Sequence, residues 1–294
     1  MTDLTWGIAG GLGTGMSWAA TSLLVRSLSG ILTPAGISAV RSTIGGSILL
    51  LIAIGTGHGG ELVRMPLWVV MTLWVSIILA MGFGDTLFFA SMDHLGVTRA
   101  LILSMANPVL TTLVGIGLLG EPVTLPRAAG ICLVVGGLVL IIAGRGGGGG
   151  ERHATTRRGV RLVFSAAGAW AVSAVILKPA LQTVSVVAAA AVRVPMGGIF
   201  LWLTPWTRGT LRAIAASTPA ERKRLGAVCF ISGFGSLLFC LGIKFGGVAI
   251  GNVLSSTSPL FTLPFEVWVL GYRPSRETVW GAVVTVAGVG LMNL

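Results

Sequence analysis

The chain has 294 residues, of which 54% are hydrophobic and only 10% charged, with a mean hydropathy of +0.92. A soluble domain of this length carries about 25% charged residues, so the solvent for most of this surface is lipid, and a water-soluble enzyme is excluded. The net charge of +11 does not point to nucleic acid, because the Lys and Arg lie between apolar stretches, as at a membrane surface, and form no basic face on a soluble module.

A spanning helix needs about 20 predominantly apolar residues. In chain order the sequence predicts spans near residues 4–25, 34–54, 67–90, 96–119 and 124–143. The N-terminus has neither a basic leader nor a small-residue cleavage site, so the apolar run from Leu4 reads as a retained first helix. RGGGGGERHATTRRG, Arg145 to Gly159, is Gly-rich and charged and reads as a flexible linker. Five more spans follow near 160–177, 184–205, 225–243, 247–270 and 277–294. The predicted units are therefore a first five-helix repeat (1–145), a linker (146–159) and a second five-helix repeat (160–294).

The two sets match in sequence. GFGDTLFF (Gly82 to Phe89) returns as GFGSLLFC (Gly233 to Cys240), with Ser236 in place of Asp85. The same offset of 151 pairs Gly96/Gly247, Ser104/Ser255, Pro108/Pro259, Thr111/Thr262, Gly130/Gly281 and Gly137/Gly288. Upstream an offset of 152 pairs Trp18/Trp170, Arg26/Lys178, Arg41/Arg193 and Gly45-Gly46/Gly197-Gly198. An ungapped match that keeps Pro, Gly, Trp and Arg together marks an internal duplication. Five spans per copy is an odd number, so the second copy enters the membrane from the opposite side. The expected fold is an all-α integral membrane protein of ten transmembrane helices in two inverted repeats. Secondary transporters commonly use this plan and hold their sites near the midplane, at the repeat interface.

The repeats resemble the EamA-type domain of the drug/metabolite transporter superfamily. The likeness rests on SWAATSLLVRSLSGILTPAGISAVRSTIGG (from Ser17) and on GDTLFFASMDHLGVTRALILSMANPVLTTLVGIGLLGEPVTLPRAAGICLVVGGLVL (from Gly84). Those segments hold the early Trp18, Arg41 after a proline, the Gly-Val-Thr-Arg-Ala start, mid-helix Pro108, the Leu-Gly-Glu-Pro loop and a Gly-rich fifth span. The second copy departs at LGYRPS, where the loop glutamate is missing. The resemblance covers essentially the whole chain. It implies ten helices around a central cavity, and transport or export of a small metabolite, amino acid or drug-like solute, in the bacterial cytoplasmic (inner) membrane. It implies no single substrate.

On the predicted topology, the face with both termini carries Arg64, Arg127, Lys178 and Lys244. The other carries Arg26, Arg99, Arg145, Arg152, Arg157, Arg158, Arg161, Arg208, Arg212, Arg222, Lys223, Arg224, Arg273 and Arg276. Short basic loops stay cytoplasmic, so the count places both termini outside, whereas the resemblance implies both inside.

Candidate site residues follow from what lipid does not tolerate. A mid-helix proline lacks an N–H and frees the carbonyl four residues back; for Pro108 and Pro259 these belong to Ser104 and Ser255. Freed carbonyls in a membrane need protein, water or ligand, so the kinks, with Asn107, Ser256, Thr257 and Ser258, are expected to line a polar cavity. Serine hydroxyls that satisfy their own kink are the plainer alternative. Asn252, Trp18 and Trp170 are candidates for the same cavity, although a tryptophan near a span end also serves as an interface anchor.

Arg41 lies about 10 Å deep, seven residues at 1.5 Å each. Charges at such depth usually face the bundle interior and are paired or functional. Inversion would place Arg41 toward the basic face and Arg193 toward the other, one at each gate, with snorkelling to headgroups as the alternative. Asp85 is the deep carboxylate. Its depth agrees with that of Arg41 to within about a turn, so the two are expected to meet, either as a static pair or as a coupling site where substrate or a proton competes. Ser236 in the second copy would make such coupling asymmetric.

Glu266 sits close enough to its span end to snorkel, and Asp93 and Glu121 read as solvated loop residues. The histidines (His58, His94, His153) lie in loops, and Cys132, Cys229 and Cys240 read as small buried hydrophobes. No metal site or cofactor is predicted, and no partner beyond a small-molecule substrate and membrane lipids. Gly7, Gly11 and Gly15 have the small-xxx-small spacing of close helix contacts. The absence of GxxxxGK[ST] argues against an ATP-driven pump. GxSxG and HExxH are also absent, and Asp85 has no second deep carboxylate, which argues against an intramembrane hydrolase. Secondary transport by alternating access is the leading expectation. A lipid-carrier flippase or a non-transporting membrane partner is the alternative.

Overall fold

A computed structural model of the chain describes residues 3–119, 124–143, 156–262 and 276–291, and all the secondary structure among them is helical. In the first half, α1 (Asp3–Arg26), α2 (Pro34–Gly55) and the short α3 (Gly59–Arg64) lead into α4 (Leu67–Ile77). A π-helical segment (Ile78–Asp85) continues directly into α5 (Thr86–Leu95). α6 (Val97–Ser104), α7 (Ala106–Leu119) and α8 (Leu125–Ala143) complete that half. The second half contains α9 (Arg157–Thr183), α10 (Val186–Leu203), a short 3-10 turn (Pro205–Thr207), α11 (Thr210–Ala216) and α12 (Pro219–Ser255). A helical stretch at 258–262 and α13 (Arg276–Leu291) follow.

Among the described residues, six helices are long and apolar enough to cross a membrane: Asp3–Arg26, Pro34–Gly55, Leu67–Leu95, Arg157–Thr183, Val186–Leu203 and Pro219–Val248. Three shorter apolar helices, Arg99–Val114, Ala128–Leu140 and Val279–Leu291, fall on the predicted fourth, fifth and tenth spans. Leu51, Leu125 and Leu203 are 70%, 84% and 82% exposed. Apolar side chains turned outward to that extent fit a lipid solvent.

Several boundaries differ from expectation. The span predicted at 160–177 runs from Arg157 to Thr183. The Thr156 hydroxyl caps its start by accepting from Gly159 N–H, and Pro179 is carried inside the helix. The span predicted at 225–243 begins earlier, at Pro219, because Thr218 and Glu221 form a capping box. The fourth span is not continuous: α6 ends at Ser104 and α7 begins at Ala106. The predicted linker from Arg145, together with Glu121, His153 and Glu266, lies outside the described residues, apart from its last few residues from Thr156 onward.

The duplication extends to single backbone angles. Gly57 and Gly209 have φ of 84° and 83°, and Gly96 and Gly247 have 76° and 77°. Each pair is one repeat offset apart and has the positive φ that glycine reaches without a Cβ clash. The Gly247 turn bends α12 where a regular helix would have run on. Thr33 and Ser185, also equivalent, cap α2 and α10 by accepting from Gly36 and Ala188 N–H, both at 3.1 Å.

Contacts between the halves are reciprocal. A Cβ on Gly137 of α8 would lie 2.6 Å from the Gly281 carbonyl oxygen of α13, and one on Gly288 would lie 2.8 Å from that of Gly130. Gly130 and Gly137 are seven residues apart, about 10 Å of helix, and meet their counterparts in reversed order. The equivalent helices α8 and α13 therefore run antiparallel. α2 and α10 repeat the pattern: a Cβ on Gly46 would lie 2.6 Å from Pro195 N, and one on Gly198 would lie 3.0 Å from Thr43 N. The expected glycine face of α1 packs against α12: Gly7 abuts the Gly246 backbone, Gly11 and Gly15 approach Leu254, and the neighbouring Gly10 would meet Gly242 N at 2.6 Å.

Candidate functional site

Two helical faces with the same spacing define the centre of the bundle. On α1, Thr14, Ser17, Trp18 and Thr21 follow i, i+3, i+4, i+7; on α12, Ser232, Gly235, Ser236 and Phe239 do the same. Both sets line one cavity of about 140 Å³. Arg41 of α2, Ala80, Met81 and Asp85 of the π segment, Trp170 and Ser173 of α9, and Arg193 of α10 also reach it. So do Ser104, Asn107, Asn252, Ser255, Ser256 and Ser258, from the two broken helices. Much of the lining comes as repeat pairs: Trp18/Trp170, Thr21/Ser173, Arg41/Arg193, Met81/Ser232, Asp85/Ser236, Ser104/Ser255 and Asn107/Ser258.

The expected meeting of Asp85 and Arg41 is present. Arg41 Nη2 donates to Asp85 Oδ2, and both side chains are buried. The other oxygen, Oδ1, accepts from Trp170 Nε1 at 2.7 Å. The same indole N–H lies 3.2 Å from the Ala80 carbonyl oxygen, inside the π segment. A Cβ at Gly84 would collide with this indole, at 2.5 Å from Nε1, so glycine is what admits Trp170 to the carboxylate. The guanidinium carbon of Arg41 lies 5.8 Å from the Trp18 ring centroid and 5.2 Å from that of Phe89, within cation–π range. Trp18 and Trp170 meet edge to face at 5.5 Å.

Arg193 has a different setting. Its Nε donates to Ser76 Oγ at 3.2 Å and its Nη2 to Ser173 Oγ at 3.3 Å. Phe239 lies beneath its guanidinium at 5.9 Å. Arg193 is 2% exposed and has no carboxylate partner among the described residues. Arg41 and Arg193, expected one at each gate, both line this one cavity, reached from the antiparallel pair α2 and α10.

The broken helices supply the polar remainder. Asn252 Nδ2 donates to Thr111 Oγ1 at 3.2 Å, which donates to Asn107 Oδ1 at 3.1 Å. Asn252 Oδ1 and Ser236 Oγ are buried with no hydrogen-bond partner among the described residues. The breaks fall at Met105 and at Ser256–Thr257, three residues or fewer before Pro108 and Pro259. The prolines themselves are buried and do not line the cavity. The Ser255 carbonyl, four residues before Pro259, accepts from Ser258 Oγ at 3.3 Å, while Ser104 Oγ donates to the Leu101 carbonyl at 2.7 Å. Asp93, expected to be solvated, pairs with Arg26 at 3.0 Å.

Sequence reasoning missed Thr14, Ser17, Thr21, Ser173, Ser232 and Phe239. The signal was available, since a run of small polar residues at helical spacing in an apolar span must face something other than lipid.

A protein of solved crystal structure superposes on this chain with TM-score 0.69, at 19% identity, over 97% of this chain and 94% of its own. At that identity the likeness shows the fold alone. No curated protein matches the chain. The profile of the EamA-like transporter family matches twice, over residues 5–143 and 157–294, the two stretches that the repeat offset, the paired glycines and the reciprocal contacts relate. This membrane protein belongs to the EamA-like transporter family.

Proposed function

We propose that the protein is a secondary transporter that moves a small metabolite, amino acid or drug-like solute by alternating access about the central cavity, as an exporter of the bacterial inner membrane. One observation carries this reading: the cavity is lined by equivalent residues from both repeats, from Trp18/Trp170 to Asn107/Ser258. A site built by symmetry at the repeat interface is what a rocking transporter requires. Ten spans complete the arrangement, as inverted repeats over 1–145 and 160–294 joined by the linker at 146–159.

Asp85, Arg41 and Trp170 form the coupling centre in this reading. A carboxylate held by one arginine and one indole N–H gives up its partner when it takes a proton, which loosens α2 from the π segment. The second repeat has only Ser236 there, so coupling runs through one half of a symmetric scaffold. The cavity residues Trp18, Ser104, Asn107, Asn252, Ser255, Ser256 and Ser258 contact the solute, and Pro108 and Pro259 keep the two helices broken. An efflux screen of cells with and without the protein identifies the solute. Purified Asp85→Asn in liposomes, compared per folded molecule, then transports at a rate that no longer follows an imposed pH gradient. Unaltered pH dependence removes Asp85 from the coupling role.

A further inference from the structure

The charges around the cavity do not cancel. Arg41 is paired with Asp85, whereas among the described residues Arg193 is held by the hydroxyls of Ser76 and Ser173 and by the Phe239 ring, and Asp85 acts on it electrostatically without a salt-bridge contact. The cavity therefore carries one positive charge in excess. A buried cation in a membrane protein is expensive unless an anion or a pathway accounts for it. The duplication indicates where the anion belongs. Asp85 stands to Arg41 in the first repeat as Ser236 stands to Arg193 in the second. Ser236 is smaller and neutral, and its hydroxyl has no partner among the described residues although it is buried. It lies about one helical turn from Phe239, the ring under Arg193.

We propose that the second repeat leaves its carboxylate to be supplied by the solute: a small monocarboxylate with no cationic group, whose carboxylate binds Arg193 with a hydrogen bond from Ser236. This deepens the transporter reading above and rests on it. Arg193 offers a planar fork that suits a carboxylate better than a point charge would. Trp18 and Trp170 give the remainder of the solute an apolar, aromatic wall. A bound monocarboxylate brings the summed charge of Arg41, Arg193 and Asp85 to zero, so the occupied cavity is the neutral one. A dianion would overshoot, and a cation would double the excess.

The test uses the purified full-length chain in nanodiscs with two probes of nearly equal shape, radiolabelled benzoate and its neutral isostere benzamide, at constant ionic strength. The wild type is expected to bind benzoate about tenfold or more tightly than benzamide, the difference one charge-assisted hydrogen bond makes. Ser236→Asp supplies the missing carboxylate from the chain itself and is expected to abolish that preference. If Ser236→Asp does not fold, Arg193→Gln, checked for monodispersity, is expected to lose the same preference. Equal binding of the two probes by the wild type, or a benzoate preference that survives Ser236→Asp or Arg193→Gln, overturns the carboxylate assignment and leaves the cavity standing as a solute site. Binding of neither probe overturns both the assignment and the reading of the cavity.

Discussion

Asp85 and Arg41 are each other's main electrostatic partners in a place where neither has ready access to water. Removing one member of such a pair costs far more than the pair contributes, about 3–5 kcal/mol, because the survivor is left charged and buried. Arg41→Gln is therefore expected to lower thermal stability strongly, and Arg41→Gln combined with Asp85→Asn to recover most of the loss, as read by melting of the purified protein. A loss that simply adds in the double variant would mean the two groups do not depend on each other. Trp170→Phe removes a single hydrogen bond to the carboxylate and is expected to cost about 1–3 kcal/mol. The Arg41–Asp85 contact was legible in the sequence, because both depths can be counted along their own spans. The indole was not, since its approach depends on how the second repeat's first helix sits on the first repeat's third.

The glycine turns and broken helices carry the symmetry at the next level. Gly96 and Gly247 share a positive φ with extended ψ, so Gly96→Ala and Gly247→Ala are each expected to destabilise by about 1–3 kcal/mol, with matching melting shifts. A shift in only one of them would show that the two turns are not under the same constraint. Pro108→Ala and Pro259→Ala restore an N–H to the ladder and let the breaks at Met105 and Ser256–Thr257 close. Each is expected to insert normally and transport poorly in liposomes; full transport would make the prolines matters of folding only. The π segment is the asymmetric element. GFG occurs in both copies, yet α12 stays α-helical through Gly233–Gly235 while Ile78–Asp85 does not. The difference follows the tryptophans. Trp170 donates to the Ala80 carbonyl within the ladder, a recognised cause of local rewinding, whereas Trp18 stacks on Phe89 at 5.7 Å. Gly235 faces Ser17 instead.

Taken as one body, the predicted loops put fourteen Lys and Arg on one face and four on the other. Short basic loops stay cytoplasmic, so on that count a C-terminal reporter that works only in the cytoplasm is expected to stay dark; a bright one reverses the orientation. Composition, the offset of about 151, the paired prolines and glycines, and the depths of Asp85 and Arg41 were enough to establish a duplicated helical membrane protein with a charged pair inside. They were enough because each is local, resting on apolar length, backbone geometry or position along one helix. The convergence of Arg193 on the same cavity as Arg41, the reach of Trp170 to Asp85, and the facing of the α1 and α12 polar stripes came from the fold. Those depend on the register between antiparallel halves. That register is set where glycine backbones touch, at Gly10 and Gly242, Gly46 and Pro195, Gly137 and Gly281, and no spacing within a single helix encodes which distant glycine will be met.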